Sequence, residues 1–127
     1  MDYELVANIV SLDEDGEMLV LAFSANDGAT EKYFMLQYPL QTGEQDRDLG
    51  LGGLYIERDD QLFGCHRGVA SIRTNGSNVE VNLNDKGKRR LKVDRVVIAP
   101  THWSPTIDQG LARLAELSSG EYVVETR

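Results

Sequence analysis

The chain has 127 residues, of which 41% are hydrophobic and 27% charged, with a single cysteine and three prolines. That length suits one domain over residues 1–127. The apolar content argues against intrinsic disorder, and Cys65 alone excludes a disulfide scaffold. The net charge is −8 and uneven: the residues before Gly64 hold 14 acids against 3 bases, and the remainder hold 7 against 10.

Short strands separated by turns fill the first hundred residues. Tyr3–Val10 alternates, which places Tyr3, Leu5, Ala7 and Ile9 on one face. Asp15-Gly16 then offers the positive φ angles of a tight hairpin turn. Met18–Phe23 is a continuous apolar run, as expected of a strand covered on both faces. Lys32–Tyr38 is aromatic-rich and ends at Pro39, and Leu54–Arg58 follows a glycine-rich approach. Val69–Thr74 and Val79–Leu83 flank Asn75-Gly76-Ser77-Asn78, the clearest hairpin signal in the chain. Asp85–Leu91 reads as one helical turn with Asp85 as its N-cap, weakened by Gly87. Val93–Ala99 is a further apolar strand, stopped by Pro100.

Ser104–Leu117 reads as a helix. Ser104 caps it, Pro105 suits the first helical position, and Ile107, Leu111 and Leu114 form one apolar stripe. Gly120 supplies a stop, and Tyr122–Val124 adds a short terminal strand. The expected fold is therefore α+β and mainly β. It is an antiparallel sheet of about seven short strands with one C-terminal helix, Ser104–Leu117, packed on it.

Several groups invite a chemical reading and then fail it. Asp13, Asp15 and Glu17 lack the spacing of a calcium loop, because Gly16 follows Asp15 at once. Cys65 and His66 are neighbours, and neighbours on a strand point to opposite faces, so they make a poor nucleophile and base. Those two with His102 fall short of a zinc site. Gly50-Leu51-Gly52-Gly53 has the spacing of neither common phosphate loop. Lys86, Lys88, Arg89, Arg90 and Lys92 form the one basic cluster, read as a solvated face because no basic domain accompanies it. No catalytic residue, metal or cofactor is expected, and the chain does not read as an enzyme.

The acidic balance repels phosphate backbones, so a nucleic-acid partner is not expected. The longest apolar run is far short of the about 20 residues that span a bilayer, so no membrane partner is expected either. The opening Met1-Asp2-Tyr3-Glu4 is acidic where a secretory signal is basic, which suits a cytoplasmic protein. The excess of carboxylates suits a basic protein surface.

One ordered set of motifs carries further meaning. It runs Phe34-Met35-Leu36-Gln37, Glu44-Gln45-Asp46, Leu49-Gly50, Tyr55-Ile56-Glu57, Asp60-Gln61 and Gly68-Val69, then Val79 through Asn84 into Gly87. This pattern resembles the immunity protein 10 family of bacterial polymorphic toxin systems, over about residues 15 to 90. The chain departs from that pattern at Arg67, where the family often has the first of two glycines, and at Cys65-His66; Tyr122–Arg127 is extra. The resemblance implies a mainly β protein that binds a cognate toxin and blocks it, with no catalytic residues to carry over. The expected toxin-binding residues are Glu44, Asp46, Asp48, Glu57, Asp59, Asp60 and Gln61. They would share one negative face if the strands on either side of the Gln41–Asp48 loop pair as neighbours. The alternative is a small-ligand-binding or regulatory β-domain, with Tyr33, Tyr38, Tyr55, Phe63 and Trp103 lining a pocket.

Overall fold

The alternation that begins at Tyr3 does not run unbroken to Val10. In the computed structural model, which describes residues 1–26, 31–40 and 52–126, it forms β1, Asp2–Ala7, bends at Asn8, and resumes as β2, Ile9–Glu14. The bend reverses the parity. Tyr3, Leu5 and Ala7 are buried, Ile9 is half exposed, and Val10 and Leu12 take over the inward positions. β2 turns into β3, Met18–Asn26, which pairs with β4, Glu31–Pro39. β5, Tyr55–Arg58, and β6, Asp60–His66, complete an antiparallel meander in the order β2-β3-β4-β5-β6.

At Arg67-Gly68 the chain crosses to a second sheet. It holds β7, Val69–Thr74; β8, Val79–Leu83; β9, Arg95–Pro100; and the short β10, Val123–Glu125. Its order is β1-β9-β8-β7-β10, antiparallel in the middle and parallel at both edges, where β1 meets β9 and β10 meets β7. The expected single antiparallel sheet of about seven strands is thus corrected to two sheets of five. Two physical causes account for the difference. Asn8 cuts one apparent strand in two and hands each half to a different sheet. β6 begins with exposed Asp60, Gln61 and Leu62 and contains Gly64, so it lacks the alternation that marks a strand.

Two helices lie among the described residues, where one was expected to pack on the sheet. α1 is Asp85–Leu91, and its N-cap is Asn84, not Asp85: the Asn84 side chain accepts from Gly87 N at 2.9 Å. Its Nδ2 also donates to the Arg67 carbonyl at 2.8 Å, tying the helix to the crossing. α1 lies along β6. α2 is Pro105–Leu117 and packs on β2 and β10. Ser104 takes the extended N-cap conformation, but its side chain makes no capping bond, so the proline and the buried stripe define this end. Ile107, Leu111 and Leu114 are buried as expected.

The buried faces of both sheets and both helices meet in one core. Phe23 and Phe34, both fully buried, face each other across β3 and β4; such an aromatic pair contributes up to about 1 kcal/mol. The two hairpin turns differ in how they close. Gly76 takes φ +92°, and Asn75 Oδ1 accepts from Ser77 N and Asn78 N. Gly16 is not left-handed; that turn closes through Asp15 Oδ1, which accepts from Glu17 N and Met18 N at 2.8 and 2.9 Å.

Candidate functional site

The meander sheet has an inner face, made by Phe34, Leu36, Ile56 and Cys65, and an outer one. Pleating sends Tyr33, Met35, Gln37, Tyr55, Glu57 and His66 outward, because successive side chains alternate. The register then decides which of them meet. Met35 pairs with Glu57, Gln37 with Tyr55, Glu57 with Gly64, and Tyr55 with His66. Tyr33 is thereby a diagonal neighbour of Glu57, and Tyr55 lies two residues before it on the same strand.

Both tyrosines use this placement. The Tyr55 hydroxyl donates to Glu57 Oε1 at 2.6 Å, and the Tyr33 hydroxyl donates to Oε2. Hydrogen bonds from a hydroxyl to a carboxylate are short and about twice as strong as neutral ones. Glu57 is only 5% exposed although it points away from the core, while Tyr33 and Tyr55 remain half-buried. Among the described residues Glu57 forms no ion pair, so its charge is held by the two phenols. Burial first, and then the bond to Glu57, push the Tyr55 hydroxyl up to about 12 and raise that of Tyr33 as well.

His66 extends the same surface. Its ring lies 5.0 Å from that of Tyr55 at 54°, and burial, then Lys86 and Arg67, hold its pKa below the ordinary value. Its Nδ1 is buried without a hydrogen-bond partner among the described residues. Cys65 lies on the opposite face, in the core, where burial raises its thiol pKa. A nucleophile and base on opposite faces of one strand cannot work together. His102 is exposed in the segment after β9. Among the described residues no three His, Cys, Asp or Glu side chains are placed to hold a metal, and no helix is long and apolar enough to cross a membrane.

The residues expected to bind a partner are distributed unevenly. β4 and β5 do pair as neighbours, as the proposed negative face requires. Glu44, Asp46 and Asp48 lie outside the described residues. Glu57 sits beneath the tyrosines. Asp59, left-handed at φ 61°, turns inward: its Oδ1 accepts from the Tyr3 hydroxyl at 2.5 Å and from Tyr33 N at 3.1 Å. Asp60 and Gln61 are exposed, beside Leu62, which is 81% exposed. Arg58 points away from this face; its guanidinium stacks 4.2 Å over Phe63, and its Nε donates to the Leu91 carbonyl.

The five aromatics of the alternative pocket are separated. Tyr33 and Tyr55 are on the outer face, Phe63 lies under Arg58, and Tyr38 and Trp103 pack against the core. From the sequence, Tyr33 and Tyr55 are expected only as pocket-lining residues; their shared carboxylate is a finding of the structure. Part of the signal was available: the two-residue spacing of Tyr55 and Glu57 puts both on one strand face. The reach of Tyr33 depends on register, which no local pattern reveals.

The family model described as Immunity protein 10 matches residues 6–102. The chain belongs to this family. The immunity protein 10 match contains the whole Tyr33–Glu57–Tyr55 cluster and α1, and stops before α2 and β10. No curated protein and no solved structure matches the chain.

Proposed function

We propose that this immunity protein neutralises a cognate bacterial toxin in the cytoplasm of the producing cell by binding it and occluding its working surface. The observation that carries the binding site is the outer face of the meander sheet. There a nearly buried carboxylate fixes two half-exposed tyrosine rings beside Met35, Gln37 and His66. Tyrosine and methionine are enriched at protein interfaces, and rigid aromatic rings lose little conformational freedom when a partner covers them. Glu57 acts here as a positioning residue, and the rings make the contact. Glu44, Asp46, Asp48, Asp60 and Gln61 add acidic and polar character to the chain that favours encounter with a basic toxin surface. The chemistry needed is complementarity alone, without cofactor, nucleic acid or membrane.

Co-expression with a cognate toxin domain tests the reading. Tyr33→Ala with Tyr55→Ala should abolish protection and co-purification while the melting temperature stays near that of the parent. Protection that survives the double substitution would remove this face from the mechanism.

A further inference from the structure

α1 carries Lys86, Lys88, Arg89 and Arg90, with Lys92 as its C-cap, and all five are exposed. Asp85 is the one acid on α1, and Lys88, Arg89 and Arg90 lie in its last turn, where the helix dipole favours cations. Lys86 and Arg90 stand four apart on the helix, where like charges repel by a few tenths of a kcal/mol. The chain has 21 acids against 13 basic residues, so partners are plentiful. Elsewhere they are used: every described arginine outside α1, namely Arg58, Arg67, Arg73, Arg95 and Arg113, forms an ion pair. Among the described residues the five cations of α1 and its cap form none.

Asp85 on α1 forms no ion pair among the described residues, and the acids of the adjoining segments are engaged by other groups. Glu57 is bound by the tyrosines, Asp59 by Tyr3 and the Tyr33 backbone, and Asp94 by the N-terminal ammonium. The helix also borders the tyrosine face. It lies along β6, and Lys86 and Arg90 are close enough to shift the protonation equilibria of His66 and Tyr55 respectively.

We infer that the exposed basic face of α1 is a second docking element, which takes an acidic polypeptide surface on the partner that covers the adjacent tyrosine face. It builds on the toxin-binding reading only in assigning that surface to the toxin. A polypeptide is favoured over a nucleic acid because a compact carboxylate patch meets α1 alone, whereas an extended polyanion also meets the field of a chain with net charge −8. Opposite charges placed side by side fix orientation, since a partner turned around would set like charges against each other.

The full-length chain is titrated into a short fluorescein-labelled oligoglutamate peptide, compact enough to meet α1 alone, at low salt, with an extended single-stranded oligothymidylate as the comparison. Saturable peptide binding is expected, weakening as salt rises and about tenfold or more weaker in Lys86→Glu with Arg90→Glu. Lys88→Ala with Arg89→Ala, which removes charge without reversing it, should show a smaller loss in the same direction. Circular dichroism confirms that each variant is folded. No peptide binding, or equal binding by the parent and both variants, overturns the proposal. Oligothymidylate binding as tight as the peptide's overturns the polypeptide assignment. The toxin is absent from this assay, so its failure is distinguishable from failure of the tyrosine face.

Discussion

The Tyr55 ring occupies the space that a side chain at position 64 would fill. A Cβ built on Gly64 would lie 2.3 Å from the Tyr55 hydroxyl and 2.9 Å from the ring carbon that bears it. Gly64 is also the cross-strand partner of Glu57. The missing side chain on β6 is thus what lets Tyr55 reach the carboxylate, and the site depends on a residue with no functional group.

Gly64→Ala should therefore damage the site more than the fold. The two nearest atoms belong to the end of a side chain, so Tyr55 can swing away; the Ile56 carbonyl oxygen at 3.1 Å must also give slightly, and the stability loss should stay at about 1–2 kcal/mol. Toxin binding should fall as it does in Tyr55→Ala. Denaturant midpoints and co-purification measured on one preparation check this, and undiminished binding would show that the placement of Tyr55 is immaterial.

The Glu57 carboxylate also controls the ionisation of its neighbours. Tyr55 is held up to about 12, first by burial and then by its bond to Glu57. In Glu57→Gln the negative charge is gone while the burial remains, so Tyr33 and Tyr55 should both ionise at lower pH without returning fully to the ordinary phenol value. Ultraviolet titration of phenolate would reveal an earlier rise than in the parent. Superimposed curves would mean that the carboxylate does not govern them.

Gly87 sets two effects against each other. Alanine is favoured over glycine within a helix by up to about 1 kcal/mol. Here, however, a Cβ would lie 2.2 Å from the Gly68 carbonyl oxygen, which is backbone and has little room to move. Such overpacking typically costs about 1–3 kcal/mol, so Gly87→Ala should destabilise the protein on balance. A raised melting temperature would contradict the docking of α1 against the β6–β7 crossing.

These glycines mark the limit of what the sequence discloses. Val79–Leu83, the Asn75–Asn78 turn and the buried stripe of α2 were legible because their signals are local: alternation, turn chemistry and a helical period. Gly87 reads as a weak point in its helix, and Gly64 and Gly110 carry no local signal, whereas each answers to a distant partner: the Gly68 carbonyl, Tyr55 and the Leu21 side chain respectively. The division into two sheets was hidden for the same reason, since Asn8 resembles any polar residue in a strand. Tyr55 and Glu57 were legible as a pair, but Tyr33 joined them only through the register of β4 on β5.

The helix stripe can be tested directly. Leu111 is 1% exposed on α2, which packs on β2 and β10, so Leu111→Ala should cost about 2–5 kcal/mol by chemical denaturation. A loss below about 0.5 kcal/mol, the scale of ordinary surface substitutions, would mean that α2 contributes little to the core.

His66 gives the fold a pH dependence with a definite sign. Burial is the first cause of its lowered pKa, and the positive charges of Lys86 and Arg67 add to it. The unfolded chain therefore takes up a proton at the ordinary value of 6.5, while the folded protein takes it up only at lower pH. Between those two values the unfolded state binds more protons, so stability falls as pH drops. The contribution is fully present above about pH 6.5 and is lost progressively down to the folded pKa. His66→Gln keeps a polar side chain but removes the titration, so its urea midpoint should decline less than the parent's from about pH 7.5 to about pH 5.5. The two proteins differ in one titratable group, which leaves the difference to His66. Parallel declines in the two proteins would show that its ring protonates as freely in the folded state as in the unfolded chain.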